Sequence, residues 1–436
     1  MPSERPDHVH RAGRTGRAGW RRIRAVSPLT LAPVLAGLLL LLLVLPAHRT
    51  GRPGQAWLGL ADSVTLVSLG LLAVPAAAGL ALAVHAVAVA RDPGPRAPES
   101  GTRVAFLTTY APGGEPLSSV RVNLEGAVRM RHPGPLDVWL LDEGDDPEAR
   151  MLCAELGVHH FTRLGVPEWN RAEGPHRAGA RHGNLNAWVA KHGDAYDLVA
   201  SVETGHVPLP GFLERMTGYF RDPDTAFVVG PRPGGDDEVH ALAQRAGNRY
   251  GAAALAGPGS VVRIAALRRA GGFHDSAGED DTATGLEIHR RRDPRTGRYW
   301  RSVRVPHVTV SHEGYAAPAV PPRGALLRQY AKALFRMPPG RLLGYTLLLV
   351  HRPVAVLTWL LGVLSCVAAL THPAARGWAA LALVIALAPL AARSSLTPLR
   401  TRGNGGGPGA LGTGRSLLPA MEGRRTRVWY RKARQG

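Results

Sequence analysis

The chain has 436 residues and a formal net charge of +20, and much of this charge lies in its two terminal segments. Residues 1–27 carry seven arginines against two acidic residues, and residues 394–436 carry nine basic residues against Glu422 alone. Because a nucleic-acid-binding protein usually gathers its charge on a folded face, basic tails beside anionic lipid are the favoured interpretation. The two cysteines, Cys153 and Cys366, cannot build a disulfide framework or a zinc site, which favours a reducing compartment.

Two long apolar segments follow the basic N-terminal tail. Residues 28–47 lack charged side chains over 20 positions, enough helix to cross a bilayer core of about 30 Å. Residues 64–90 form a second uncharged segment, with a kink expected at Pro75. We predict two transmembrane helices, 28–47 and 64–90, that form a hairpin. A cleaved signal peptide is the alternative for the first, although no clear small-x-small cleavage site follows it.

After a linker at 91–101, short apolar runs alternate with amphipathic segments from 102 to 322. Strands are predicted at five runs: 104–109, 136–142, 197–203, 226–231 and 260–264. Helices are predicted at four segments: 116–131, 147–156, 209–221 and 280–292. This alternation is typical of βαβ units, so residues 102–322 are predicted to form an α/β domain with a mostly parallel sheet.

Residues 323–350 are predicted to form amphipathic helices at the membrane interface. Three basic residues recur there every four positions and so share one helix face: Arg328, Lys332 and Arg336. Residues 354–370 and 378–392 are predicted as two further transmembrane helices, followed by a basic, flexible tail at 393–436. With two spans on each side of the α/β domain, the positive-inside rule assigns that domain and both termini to the cytoplasm. The predicted protein is a multi-pass protein of the plasma membrane.

Five polar segments stand out within the α/β domain. They are TTY (108–110), LLDEGDD (140–146), RHGNLN (181–186), ETGHVP (203–208) and GGFHDSAGEDDTATGLEIHRR (271–291). Polar groups at the carboxyl ends of strands meet at the edge where open α/β sheets bind ligands. For Asp142 and Asp145, turn formation and helix capping are the alternative interpretation.

These segments resemble motifs of the membrane-bound family 2 glycosyltransferases, the group that includes bacterial cellulose synthase and hyaluronan synthase. RHGNLN is similar to the family's K-x-G-N-L-N, with Arg181 in place of lysine. ETGHVP aligns with its D-A-D-H-V-P, and Glu279-Asp280-Asp281 aligns with its T-E-D. The resemblance covers roughly residues 103–337. It implies a GT-A-like nucleotide-diphospho-sugar transferase fold in the cytoplasm, flanked by transmembrane helices.

The resemblance also implies roles for individual residues. It implies that six residues bind the donor: Thr109, Tyr110, Asp142, Arg181, Gly183 and Asn184. Gly183 would permit a close approach of the backbone to the donor, and Arg181 would face the diphosphate. Asp281, with Asp280 beside it, would be the general base that deprotonates the acceptor hydroxyl. A solvated acidic start to a helix is the alternative interpretation of these two aspartates.

Two departures from the family pattern concern the metal and the acceptor. Two carboxylates at alternate strand positions can hold Mg²⁺ or Mn²⁺ against a diphosphate. Glu203 keeps one of them and Gly205 removes the other, so we expect a divalent metal site that is weakened. Gln329 and Lys332 match the family's Q-x-x-R-W segment at the acceptor end. Ala333 replaces its tryptophan, which removes a stacking surface for an acceptor sugar.

The sequence therefore predicts a membrane-embedded, inverting glycosyltransferase. Its expected donor is a nucleotide-sugar, UDP-linked by resemblance, and its expected acceptor is a lipid-linked or polysaccharide-linked glycan of the cell envelope. The alternative is a catalytically impaired subunit that binds or scaffolds a polysaccharide-synthesis complex, motivated by Gly205 and Ala333. A transporter is disfavoured because the predicted spans carry no charged residues. No nucleic-acid partner is expected.

Overall fold

The computed structural model of the protein describes residues 56–114, 116–203, 205–232, 238–274, 280–307, 309–312, 330–333, 336–370, 377 and 379–384. The described residues divide into two units, one with 56–88 and residues from 346 onward, the other with 89–345. The predicted span 28–47 and both basic tails lie outside the described residues.

The unit 89–345 alternates strands with helices, as the apolar runs predict. Its strands are β1 (Val104–Tyr110), β2 (Leu136–Asp142), β3 (His159–Phe161), β4 (Leu198–Val202), β5 (His206–Pro208), β6 (Thr225–Val229), β7 (Gly259–Arg263), β8 (Arg301–Arg304) and β9 (Val310–His312). Its helices are α2 (Leu117–Val128), α3 (Pro147–Leu156), α4 (Arg181–His192), α5 (Phe212–Met216), α6 (Glu238–Tyr250), α7 (Ile264–Ala270) and α8 (Asp280–His289). Helix α1 (Ala56–Val89) precedes them and α9 (Pro339–Leu370) follows.

Seven of the described strands form one sheet, in the order β3-β2-β1-β4-β7-β6-β8. β1 pairs in parallel with β2 and with β4, while β7 runs antiparallel to both of its neighbours. β8 pairs in parallel with β6, so β7 alone of these seven strands runs in the opposite direction. The prediction of a mostly parallel sheet is confirmed. A separate antiparallel pair, β5 with β9, sets His206 opposite His312 in register.

The sheet is the middle of three layers. Successive strand residues point to opposite faces, so Val104 and Phe106 of β1 pack on one side, with α2, α3 and α5. Ala105 and Leu107 pack on the other side, with α4, α7 and α8. Every residue of β1 is buried, which agrees with the apolar run 104–107 that begins it.

The α/β elements agree closely with the sequence prediction at β2 and α3, whose bounds are the predicted ones. Asp146 caps α3 and Pro147 opens it, and Gly157 with φ +65° ends it, which are strong sequence signals. The predicted helix 209–221 is instead the short α5 followed by a 3-10 turn, Thr217–Arg221.

Helices α1 and α9 are long, with 34 and 32 residues. Pro75 lies inside α1, and Pro353, which lies between the predicted segments 323–350 and 354–370, is inside α9. Proline removes one backbone hydrogen bond, yet a long helix can carry it with a local bend. Over the part of the chain that the structure describes, no helix meets the combined length and hydropathy of a membrane crossing. The transmembrane helices therefore stay a prediction.

Candidate active site

The strand order locates a ligand-binding edge. The chain passes from β1 to β2 on one side of β1 and later returns to β4 on the other side. In open α/β sheets, ligands bind outside the carboxyl ends of the strands at such a reversal. Tyr110 ends β1, Asp142 ends β2 and Glu203 follows β4, so three predicted site residues lie at the carboxyl ends of these strands.

Tyr110 is a neutral phenol at the end of β1. Its hydroxyl donates to Asp146 Oδ2 at 3.0 Å, and its side chain is 5% exposed. Burial, followed by the hydrogen bond to Asp146, raises the pKa of Tyr110 to about 12. Thr109 beside it is buried as well. The roles of both residues toward a donor stay predictions.

Asp142 is fully buried and stabilises the turn after β2. Its carboxylate accepts hydrogen bonds from the backbone N–H of Gly144 at 2.9 Å and of Asp146 at 2.5 Å. His160 Nε2 lies 3.1 Å from the same carboxylate. These bonds support the turn-forming interpretation of Asp142, and its contact with a nucleotide base stays a prediction.

Asp142, Asp145 and His160 place one possible metal-ligand atom each within 4.8 Å of one another. However, backbone N–H groups already engage Asp142, and Asp145 forms an ion pair with Arg150. Imidazole is also a poor ligand for hard cations such as Mg²⁺. A metal ion here would compete with these hydrogen bonds and with the ion pair, and Glu203 at the end of β4 stays the predicted metal ligand.

Arg181 and Asp281 meet although they are 100 residues apart in sequence. Arg181 opens α4 and Asp281 lies in the first turn of α8, with Nη1 and Oδ1 separated by 3.4 Å. Their side chains are 28% and 25% exposed, so both remain accessible to solvent. The fold thus brings the predicted diphosphate-facing cation and the predicted general base into one ion pair.

Gly183 and Asn184 are enclosed by the protein. A Cβ on Gly183 would lie 2.2 Å from the carbonyl oxygen of Arg177 and 2.7 Å from Nη1 of Arg163. Asn184 is fully buried, with Nδ2 at 3.3 Å from the carbonyl oxygen of Leu141. Gly183 is therefore required by the packing of the preceding loop. A donor contact from either residue stays a prediction.

The end of β4 supplies one carboxylate. The backbone N–H of Glu203 donates to the carbonyl of Pro258 at 2.8 Å, which fixes where β4 ends, and the Glu203 residue is partly exposed. Gly205 is buried with φ +87°, a conformation that residues with a Cβ rarely adopt. Mg²⁺ is usually held by one or two carboxylates together with substrate phosphates. Glu203 therefore fits a cation that arrives with a diphosphate.

The predicted acceptor end is only partly described. Asp280 begins α8, whereas Glu279 and Gln329 lie outside the described residues. Lys332 is exposed. Ala333 is fully buried, so this position offers no surface on which a sugar could stack.

Several residues that organise this region carry no role in the sequence prediction. Asn123 accepts from the Thr108 hydroxyl at 2.5 Å and donates to the carbonyl of His206 at 2.7 Å, which ties β1 to β5. Asn186 donates to the carbonyl of Phe273 at 2.9 Å and accepts from its N–H at 2.7 Å. Asn186 is the last residue of RHGNLN, so the motif itself was the signal for it.

Beside these residues lies a pocket of about 430 Å³. It is lined by Glu173, Gly174, Pro175, Arg177, His182, Gly271, Phe273 and His274. His182 follows Arg181, and the N–H of His274 donates to the Thr284 hydroxyl of α8 at 2.9 Å. The pocket is therefore adjacent in the fold to the two helix starts that carry Arg181 and Asp281.

The strand order and the polar strand ends define a GT-A-like α/β fold. No protein-family model matches the chain. Among solved structures, the chain is similar to a mannosyltransferase from Pyrobaculum calidifontis in complex with GDP-Man and Mn²⁺. The TM-score is 0.52 at 20% identity, covering 78% of this chain and 94% of the other. At this identity the likeness shows the fold.

Among curated proteins, the chain is similar to the UDP-forming cellulose synthase catalytic subunit of Xanthomonas axonopodis pv. citri (strain 306). The two are 29% identical over 206 residues, which cover 43% of this chain. The match spans 26% of the length of that relative. This similarity confirms the resemblance to family 2 glycosyltransferases that the motifs indicate.

Proposed function

We propose that the chain is a membrane-embedded, inverting glycosyltransferase. It takes a sugar from a nucleotide-sugar, UDP-linked as in the cellulose synthase relative, and transfers it to a lipid-linked or polysaccharide-linked acceptor of the cell envelope. The observation that carries the proposal is the Arg181–Asp281 pair, with Nη1 and Oδ1 3.4 Å apart near the carboxyl edge of the sheet. It joins a cation suited to a diphosphate with a carboxylate suited to proton abstraction.

In the proposed reaction, the acceptor hydroxyl gives its proton to Asp281. The acceptor oxygen then bonds to the anomeric carbon on the face opposite the diphosphate, and the bond from that carbon to the diphosphate oxygen breaks. The nucleoside diphosphate leaves with the electron pair, and Arg181 counters its negative charge. A divalent cation bound with the diphosphate would neutralise further charge, and Glu203 is the residue that would hold it.

The ion pair also suggests how the base becomes available. Without donor, the Asp281 carboxylate pairs with Arg181, with Oδ1 3.4 Å from Nη1. A bound diphosphate offers Arg181 a partner of higher charge and several acceptor oxygens. When Arg181 turns to the diphosphate, Asp281 is released toward the acceptor hydroxyl. Donor binding would thus precede acceptor activation.

Exposed apolar side chains support the membrane part of the proposal. Of the 15 large hydrophobic residues that are exposed among those described, 12 lie on α1, on α9 or in the segment 379–384. Val74 and Val84 of α1 are 72% and 59% exposed. Apolar faces of this extent on a soluble monomer are unusual. Contact with lipid accounts for them, in keeping with the predicted spans 64–90, 354–370 and 378–392.

A donor screen tests the proposal. The full chain, purified in detergent, is incubated with UDP-glucose, other UDP-sugars or GDP-mannose, with and without Mn²⁺, and release of nucleoside diphosphate is measured. We expect release from one donor class, faster when Mn²⁺ is present. The absence of release from every donor, with and without membrane lipid extract as acceptor source, contradicts the proposed activity.

The left-handed conformation of Gly205 and the burial of Ala333 favour a second candidate function. In it, the chain binds a nucleotide-sugar without turnover and acts as a subunit of a polysaccharide-synthesis complex. Calorimetry distinguishes the two. UDP-sugar binding that is unaffected by Mn²⁺ and unaccompanied by release of UDP supports the binding subunit.

A further inference from the structure

A fully buried guanidinium links the two segments that are predicted to bind the donor. Arg163 follows β3, and its side chain is 0% exposed. It forms a two-pronged ion pair with Glu143, with Nε at 2.9 Å from Oε2 and Nη2 at 2.6 Å from Oε1. Glu143 directly follows Asp142 in LLDEGDD, so Arg163 is anchored to the turn after β2.

The rest of the guanidinium holds the loop that leads to RHGNLN. Nη1 donates to the carbonyl of Trp169 at 2.7 Å, and Nη2 donates to the carbonyls of Arg177 at 3.0 Å and Ala180 at 3.3 Å. The backbone N–H of Gly179 completes the arrangement by donating to Glu143 Oε1 at 3.0 Å. The loop 169–180 is thus folded around a single side chain.

The same guanidinium contacts the first turn of α4. Ala180 is the residue before α4, and the missing Cβ of Gly183 leaves the space in which Arg163 Nη1 and the carbonyl of Arg177 lie. Arg181 stands between these two contact points. Where Arg181 lies relative to the end of β2 therefore depends on the hydrogen bonds of Arg163.

Stability alone does not account for a buried ion pair at this place. Such pairs often contribute little net stability, because the cost of desolvating both charges offsets their attraction. A planar fork of five N–H donors is, however, well suited to fixing several carbonyls and a carboxylate at once. Lysine, with one ammonium group, cannot reproduce this set of directions.

We propose that Arg163 and Glu143 form a positioning pair that presets the donor site by holding loop 169–180, and with it Arg181, before the donor arrives. Neither residue touches the reacting atoms in this account. The proposal rests on the proposed function for its effect on the donor, whereas its effect on the loop is independent of any reaction.

Two variants of the full-length protein in detergent test the proposal: Arg163→Lys and Glu143→Gln. Hydrogen–deuterium exchange, followed by mass spectrometry without donor, should show faster exchange at 169–183, with β1 and α2 at the wild-type rate. UDP binding, measured by calorimetry, should weaken about 10-fold or more, up to the loss expected when the charged hydrogen bond of Arg181 is removed.

The matched controls are Arg121→Lys and Glu155→Gln. Arg121 and Glu155 also form a two-pronged pair, at 2.5 and 2.7 Å, but on the exposed surface between α2 and α3. We expect wild-type exchange at 169–183 and wild-type UDP binding in both. Their comparison with Arg163→Lys separates positioning from the general loss of an ion pair.

Wild-type exchange at 169–183 in Glu143→Gln overturns the proposal, as does exchange that rises equally throughout the sheet. If Arg163→Lys does not fold, Glu143→Gln decides, because it keeps the side-chain shape and one carbonyl acceptor. If the wild-type chain binds no UDP, the proposed function fails, while the exchange measurement still decides whether this pair holds the loop.

Discussion

Replacing Gly205 by aspartate restores the carboxylate that the family 2 pattern has at this position, and we expect this change to destabilise the protein. Gly205 has φ +87° and is buried. A left-handed conformation costs a residue with a Cβ roughly 1–2 kcal/mol, and burial of a carboxylate adds to this cost. For a unit of this size, about 1–2 kcal/mol lowers Tm by roughly 2–8 °C.

Thermal unfolding in detergent measures the decrease in Tm. Substitutions at two other glycines separate the cost of the backbone conformation from the cost of the buried carboxylate. Gly271 also has a left-handed φ, of +91°, with open space around it, so Gly271→Ala reports the backbone cost alone. Gly101 has open space and no such φ, and Gly101→Ala should leave Tm unchanged. If Gly205→Asp unfolds at the wild-type Tm and tightens Mn²⁺ binding, the backbone does not oppose the second carboxylate, and the reasoning is wrong.

Three further outcomes are expected, two from the structure and one from the predicted spans. Arg181→Met should raise the Kd for UDP about 10- to 150-fold, because it removes a hydrogen bond to a charged group. Arg181→Lys should retain most of the affinity, and calorimetric titration measures both variants. His289 is enclosed by the hydroxyls of Tyr345 and Ser302, and burial holds its pKa well below 6.5. Below pH 6.5 the unfolded chain therefore binds a proton at His289 that the folded chain does not bind. The free energy of unfolding should fall by about 1.4 kcal/mol for each pH unit below that value. Urea unfolding at pH 7 and pH 5 measures this fall, which should be smaller in His289→Gln. The expressed chain should stay in the membrane pellet after a carbonate wash, and its recovery in the supernatant would contradict the predicted spans.

The layered α/β fold could be predicted because its signals are local. The buried strands are apolar runs, and α3 carries its start and stop signals in Asp146, Pro147 and Gly157. The resemblance gives Arg181 and Asp281 roles in one reaction, whereas their ion pair is seen only in the structure, since nothing in the sequence between them indicates it. Long-range proximity of this kind is set by the order of strands in the sheet.

The features of the candidate site that the sequence did not predict depend on backbone geometry. Arg163 is bound by the carbonyls of a loop with no regular sequence pattern, so its role became visible only in the structure. Gly183 also makes room for the carbonyl of Arg177 and for Nη1 of Arg163, a packing role that the sequence did not indicate, while its contact with the donor stays a prediction. The sequence indicated only that Gly205 replaces a carboxylate. Its positive φ shows in addition that the backbone at this position has a conformation that favours glycine.

The most direct test of the account is the rate of sugar transfer by Asp281→Asn. The matched control is Asp194→Asn, since Asp194 is also paired with an arginine, Arg268, but lies on the surface. Loss of a general base should lower kcat about 100- to 10,000-fold while UDP still binds, and the control should keep the wild-type rate. Full transfer activity in Asp281→Asn would contradict the assignment of the base and, with it, the proposed mechanism.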